Sequence, residues 1–108
     1  MCRDTQISKL NDHLRKHGIG GKVFLTQGVQ SLEEWHREAI IQAVRDYDGF
    51  DPDNDPYEEH DMGWVTVSGT KVMWKIDYYD PTMTFGSEDP ADPHKTARVL
   101  TIMLVEEY

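Results

Sequence analysis

Asp51, Asp53 and Asp55 stand at alternate positions in Asp51-Pro-Asp-Asn-Asp-Pro-Tyr-Glu-Glu-His-Asp61. That spacing is the opening of a calcium loop, in which hard oxygen ligands converge on one ion. The rest of the loop is missing. Pro56 fills the position that needs glycine and Met62 the one that needs a bidentate glutamate, so an EF-hand is excluded. A looser Ca²⁺ or Mg²⁺ site is one remaining reading. The other is a solvated acidic loop whose Asp and Pro residues make turns, and that is the expectation, with no cofactor. Within the same stretch His60 lies between Glu59 and Asp61. A histidine among carboxylates can serve as acid or base near neutral pH. If it met Asp61, Asp77 and Asp80 in space, the set could hold a metal and act as a small hydrolase. The competing reading is that His60 and Asp61 bond loop backbone and fix the chain's entry into a strand.

Two further groups carry functional side chains. In Lys75-Ile-Asp-Tyr-Tyr-Asp80, residues Lys75, Asp77 and Tyr79 fall on one face of an extended strand, successive ones about 7 Å apart. Such a face is an ion pair on a sheet or a contact surface. In Ser87-Glu-Asp-Pro-Ala-Asp-Pro93, two Asp-Pro steps stiffen a loop that displays Glu88, Asp89 and Asp92. Pre-organised carboxylates dock on Arg and Lys at little ordering cost, and they are equally ordinary turn residues. No phosphate-binding glycine loop, dinucleotide fingerprint, His-Glu-x-x-His zinc motif or serine-hydrolase elbow occurs. The single cysteine, Cys2, excludes an internal disulfide framework.

The elements that must position these groups follow from periodicity. Ile7, Leu10 and Leu14 mark a first helix, capped by Asp4 or Thr5 and stopped at Gly18. Lys22–Gln27 reads as a strand. Ser31-Leu-Glu-Glu34 has the pattern of a capping box for a second helix reaching about Tyr47, with Leu32, Trp35, Ala39, Ile40 and Ala43 as its apolar stripe, extended by Val44 and Tyr47. His36 is read as a surface residue. Residues 63–67 and 71–79 form a hairpin about Ser68-Gly69, with Val72, Trp74, Ile76 and Tyr78 facing the core. Residues 98–105 are almost continuously apolar, as a central strand should be. The order α-β-α-β-β-β implies an α+β fold: about four strands, mostly antiparallel, with two helices on one face. The 108 residues make a single domain, 1–108, with acidic loops at about 48–62 and 80–94.

Charge is placed unevenly. The net value is −9, yet residues 46–92 hold thirteen carboxylates against two lysines. Such a segment repels nucleic acid and anionic membrane, which bind through Lys and Arg. It attracts a basic protein surface. No basic stretch precedes an apolar one at the N-terminus, so a cytoplasmic location is expected.

Asn11-Asp12-His-Leu14-Arg15, Asn54-Asp55-Pro56-Tyr57-Glu-Glu59-His60-Asp61, Lys75-Ile-Asp-Tyr-Tyr-Asp80, Asp89-Pro-Ala-Asp-Pro93 and Arg98-Val-Leu-Thr-Ile-Met-Leu104 together form a pattern. The pattern, which closes on Glu107-Tyr108, resembles a family of small bacterial proteins of unknown function frequent on plasmids and prophages. The resemblance implies a single-domain intracellular protein and carries over no activity and no catalytic residue. Small acidic proteins of mobile elements resemble anti-restriction and anti-CRISPR factors, which offer carboxylates where a nuclease expects phosphates.

The leading expectation is therefore a non-enzymatic module that binds a basic protein surface, in its sharpest form a nucleic-acid mimic. The residues expected to bind are Asp51, Asp53, Asp55, Tyr57, Glu58, Glu59, Asp61, Glu88, Asp89 and Asp92. The alternatives are the hydrolase built on His60, Asp61, Asp77 and Asp80, and a structural subunit with aromatic anchors at Tyr57, Tyr79 or Tyr108.

Overall fold

The computed structural model describes residues 3–108, with side chains from Thr5 onward; Cys2 lies outside the described residues. Helix α1 spans Arg3–His17. Strand β1 follows at Lys22–Leu25, then a one-turn helix α2 at Gln27–Gln30 and helix α3 at Glu34–Arg45. Strands β2 (Met62–Val67), β3 (Thr70–Tyr79) and β4 (Ala97–Leu104) complete the order, and a 3₁₀ turn closes it at Val105–Glu107. The α+β class is as expected, with three α-helices among the described residues in place of two.

The four strands form one sheet in the order β1-β4-β3-β2, with β4 and β3 central. β2 pairs antiparallel to β3, and β3 antiparallel to β4, while β1 runs parallel to β4. At the hairpin tip Ser68 and Gly69 both have positive φ, +50° and +81°, the mirror-image turn whose twist matches that of the strands.

Strand alternation separates two faces. Val72, Trp74 and Ile76 of β3 and Leu100, Ile102 and Leu104 of β4 pack with Leu14 of α1, Val29 of α2, and Ile40 and Val44 of α3. All three α-helices thus bury apolar residues against the same face, where Tyr78 also lies, partly buried. Burying these side chains, at roughly 1.5–3 kcal/mol each, is the main force holding helices to sheet. The opposite face, carrying Met73, Lys75, Asp77 and Tyr79, supplies no residue to that core. Among the described residues no helix is long and apolar enough to cross a membrane.

Five local expectations are corrected. The strand proposed for 22–27 ends at Leu25, because the chain turns into α2. The capping box does not form. Ser31 is the C-terminal cap of α2 and its hydroxyl donates to the Gln27 carbonyl, while α3 begins three residues later with Glu33 at its N-cap. Trp35 is 56 % exposed rather than in the core. The buried stripe centres on Ile40 and Val44, and Trp35, five residues before Ile40, is turned about 140° away from it. His36, expected as a plain surface residue, bonds the Val67 carbonyl through Nε2 and is only partly exposed. Asp4 and Thr5 lie inside α1, which already runs from Arg3.

The C-terminal turn holds α2 in place. The Glu107 carboxylate accepts from the Thr26 hydroxyl at 2.6 Å, the Gly28 amide at 3.0 Å and the Leu104 amide at 2.8 Å. These bonds, that from Thr26 first, hold its carboxyl below the usual range. A carboxyl depressed in the folded state stabilises at pH above its unfolded value, and that stability is lost as pH falls through the folded value. Thermal melts across the acid range should therefore show wild type losing stability more steeply than Glu107→Gln; parallel curves would contradict the assignment.

Candidate functional site

A buried polar core at one end of the sheet positions both acidic loops. α1 presents Ile7, Asn11 and Leu14 on its inward side, and Asn11 is completely buried. A buried amide must have partners for both its donor and its acceptor. The Asn11 amide nitrogen donates to the Glu59 carbonyl at 2.9 Å and to the Tyr78 hydroxyl at 2.8 Å. Its oxygen accepts from Arg98 Nε at 2.6 Å.

Arg98 opens β4 on the core face and is itself buried. Its guanidinium lies over the Tyr78 ring, 5.1 Å from the centroid, and donates to the Pro90 carbonyl. Burial pushes that guanidinium down, with Tyr78 and Glu59 opposing. Burial likewise pushes the Tyr78 phenol well above its ordinary value. Asn11 thus holds the first acidic loop at Glu59, and Arg98 holds the second at Pro90. β2 begins, β3 ends and β4 begins at this end of the sheet, so both loops emerge together.

A second cluster adjoins the first. His60 Nδ1 sits 3.0 Å from Asp12 Oδ1, and Asp12 also accepts from Arg15 at 3.1 Å. The His60 ring stacks on Phe50, 4.0 Å between centroids and 4° from parallel. Its Nε2 lies 3.7 Å from the Asp55 carboxylate, beyond hydrogen-bond reach. Arg15 donates to the carbonyls of Val44, Arg45 and Tyr47, and so ties α1 to the C-terminal end of α3. Glu58 and His60 have φ of +55° and +57°, a left-handed conformation that costs such residues roughly 1–2 kcal/mol each. Asp55 supports it by accepting from the backbone amides of Glu59 and His60. A cavity of about 330 Å³ opens beside His60, between Ser8, Phe50, Asp51, Asp55 and Glu58.

The residues proposed for partner binding divide accordingly. Asp51, Asp53, Tyr57, Glu58 and Glu88 are exposed. Asp51 also accepts from the amides of Asp53 and Asn54, so its carboxylate shapes the loop. Asp55 is corrected: only 5 % exposed, it faces inward and is not displayed. Glu59, Asp61, Asp89 and Asp92 are partly buried. Asp89 and Asp92 accept from the amides of Ala91 and His94, as turn residues do. Burial raises the Asp61 carboxyl, with Asp55 and Asp77 adding to the effect.

His60, Asp61, Asp77 and Asp80 are held by different partners. His60 faces Asp12, Asp77 pairs with Lys75 at 2.8 Å, and Asp80 accepts from the Thr82 hydroxyl and the Thr84 amide in its own loop. The Asp61 carbonyl accepts from the Ile76 amide. Among the described residues, no three His, Cys, Asp or Glu side chains are grouped to hold a metal.

Sequence reasoning passed over Asn11, Asp12, Arg15 and Arg98 as site residues. The signal was present: Asn11 lies between Ile7 and Leu14 on an apolar helix face, and Arg98 is in phase with Leu100, Ile102 and Leu104. A polar residue in such a position requires a buried partner.

No curated protein and no solved structure is significantly similar to the chain. A family model described as a protein of unknown function, DUF3768, matches residues 25–107, which takes in both acidic loops and all of β2–β4. The chain belongs to the DUF3768 family.

Proposed function

We propose that this protein is a non-enzymatic docking module whose acidic end binds a basic protein surface of the kind that ordinarily holds nucleic acid. The observation that carries the reading is the convergence of the two acidic loops on one end of the sheet, tied to a common buried pair, Asn11 and Arg98. Residues 46–61 hold eight carboxylates and no lysine or arginine, and Glu88 and Asp89 stand in the neighbouring loop. Exposed carboxylates fixed in advance lose little freedom on binding. Exposed rings at Tyr57 and Phe85 lie in the same two loops and supply apolar anchor area. In its most specific form, the protein is an anti-defence inhibitor carried by a phage or plasmid, occupying the nucleic-acid channel of a restriction or CRISPR nuclease in a bacterial cytoplasm.

The test immobilises the protein against purified bacterial defence nucleases and measures binding over a range of salt, with duplex DNA as competitor. Binding should weaken steeply as salt rises, and DNA should compete. Neutralising Asp53, Glu58 and Glu88 together (Asp53→Asn, Glu58→Gln, Glu88→Gln) should weaken it about tenfold or more, since rim charges contribute several tenths to about 1 kcal/mol each. Salt-independent binding, or full binding by the triple variant, would refute the reading.

A further inference from the structure

The face of the sheet that the helices leave open has a pattern of side chains complementary to itself. Reading across the register, Phe24, Thr101 and Lys75 form one row, and Lys22, Val99 and Asp77 form the next. Met73 pairs with Met103 on one side of these rows, and Tyr79 with Ala97 on the other. Met73, Val99 and Met103 are buried, whereas Phe24 is 51 % exposed and Trp64, the register neighbour of Met73 on β2, is 48 % exposed. Lys75 donates to Asp77 at the middle of the face, each about one-third exposed. Tyr108 is near enough to act on the charge of Lys75, and it is largely exposed.

We infer that this face is the interface of a homodimer, with a second copy of the chain packed sheet to sheet on it. A two-fold axis between the sheets, crossing the strands at the level of Ile76, turns each copy into the other. Such an interface is isologous: whatever one copy presents at a position meets its symmetry counterpart. The operation sets Lys75 over Asp77 of the second copy and Asp77 over its Lys75, so two ion pairs become a four-charge ring. It also sets Lys22 against the Phe24 ring of the second copy, a cation–π arrangement. An axis along the strands would instead oppose Lys75 to Lys75 and Asp77 to Asp77, so charge selects the crossing axis.

Sheets packed face to face keep their strands within about 30° and lie about 10 Å apart, close enough for these side chains to meet. Four strands at about 4.8 Å and eight residues at about 3.3 Å give a patch of roughly 20 by 25 Å. That is about 1,000 Å² over the two copies, just under the standard interface class, where dimers form reversibly. The acidic loops lie at the end of the sheet and remain free in this arrangement, so the inference does not depend on what they bind.

The experiment is sedimentation equilibrium of the full chain from about 5 to about 300 µM, the range in which interfaces of this size dissociate. Wild type is expected as a dimer that dissociates on dilution. Lys75→Glu and Asp77→Lys, each alone, oppose like charges across the axis and should weaken association about tenfold or more. An equimolar mixture of the two variants restores opposite charges and should give a heterodimer. Wild type that stays monomeric at the highest concentration overturns the inference. So do single variants that dimerise as well as wild type, or a mixture that remains monomeric. Circular dichroism checks the fold of each variant; where a central one does not fold, Phe24→Lys on edge strand β1 takes its place, with the same expected loss.

Discussion

Asn11→Leu is expected to lower stability by about 3–4 kcal/mol, more than any surface change in this protein. Leucine keeps the heavy-atom branching of asparagine but is bulkier, so overpacking adds to the main loss. That loss comes from three groups left behind in a buried place: Arg98 Nε, the Tyr78 hydroxyl and the Glu59 carbonyl. Arg98 dominates, because burial already disfavours its charge and its orphaned donor would carry the full desolvation penalty. In a domain of this size the loss is a fall in Tm of about 12–20 °C. The second acidic loop keeps its contact between Arg98 and Pro90, but the first loses the bond at Glu59, so backbone exchange should quicken around residues 58–60. Adding Arg98→Met to Asn11→Leu removes the buried cation that the first change strands. The double variant should be more stable than the sum of the two single losses predicts. Denaturant unfolding of the four proteins measures this directly. A loss below about 1 kcal/mol for Asn11→Leu, or strict additivity, would show that Asn11 does not organise the buried cluster.

That cluster marks the limit of what was readable in the chain. The β3 face was legible because period two is a local property: Val72, Trp74, Ile76 and Tyr78 announce themselves within seven residues. The hairpin was legible for the same reason, since Ser68-Gly69 suits a turn with two positive φ values. The start of α3 was not. Ser31 satisfies a local rule for capping a helix and equally well ends the one-turn helix before it, and the bonds that hold α2 come from Glu107, 76 residues further on than Ser31. The candidate site failed in the same manner. The acidic loop was visible as composition, but where it is held against the fold depends on partners 48 and 87 residues apart, Asp12 for His60 and Asn11 for Arg98. Asp51 and Asp55 look alike in sequence; one lies outside and shapes the turn, the other lies inside and supports two left-handed residues. The two-fold character of the open face needs the register of all four strands, and the sequence specifies only the β2–β3 pairing.

Gly63→Ala, on the other side of the same core, should cost about 3 kcal/mol, or a fall in Tm of about 12 °C or more. Gly63 is buried in β2, in register with Trp74 on β3. A methyl group there would lie 2.7 Å from Trp74 Nε1 and 2.7 Å from Tyr47 Cζ. The Trp74 ring has no room to give, whereas Tyr47 is only partly buried. Trp74 is completely buried and makes edge contacts with both Tyr47 and Phe50. Phe50 in turn stacks on His60, so the added methyl pushes on the aromatic chain that backs the first acidic loop. Among the described residues the indole N–H of Trp74 has no hydrogen-bond partner, and the glycine leaves the strand backbone bare beneath it. Ordinary glycine-to-alanine changes in strands are neutral or mildly stabilising, since glycine is the more costly residue to order. The sign here is the reverse, and it is set by space. Pairing Gly63→Ala with Trp74→Phe should relieve part of the loss, because phenylalanine removes the atom that the methyl strikes. If Gly63→Ala melts within about 2 °C of wild type, the Trp74–Tyr47 contact is not rigid. A loss that Trp74→Phe fails to relieve would instead place the strain on Tyr47.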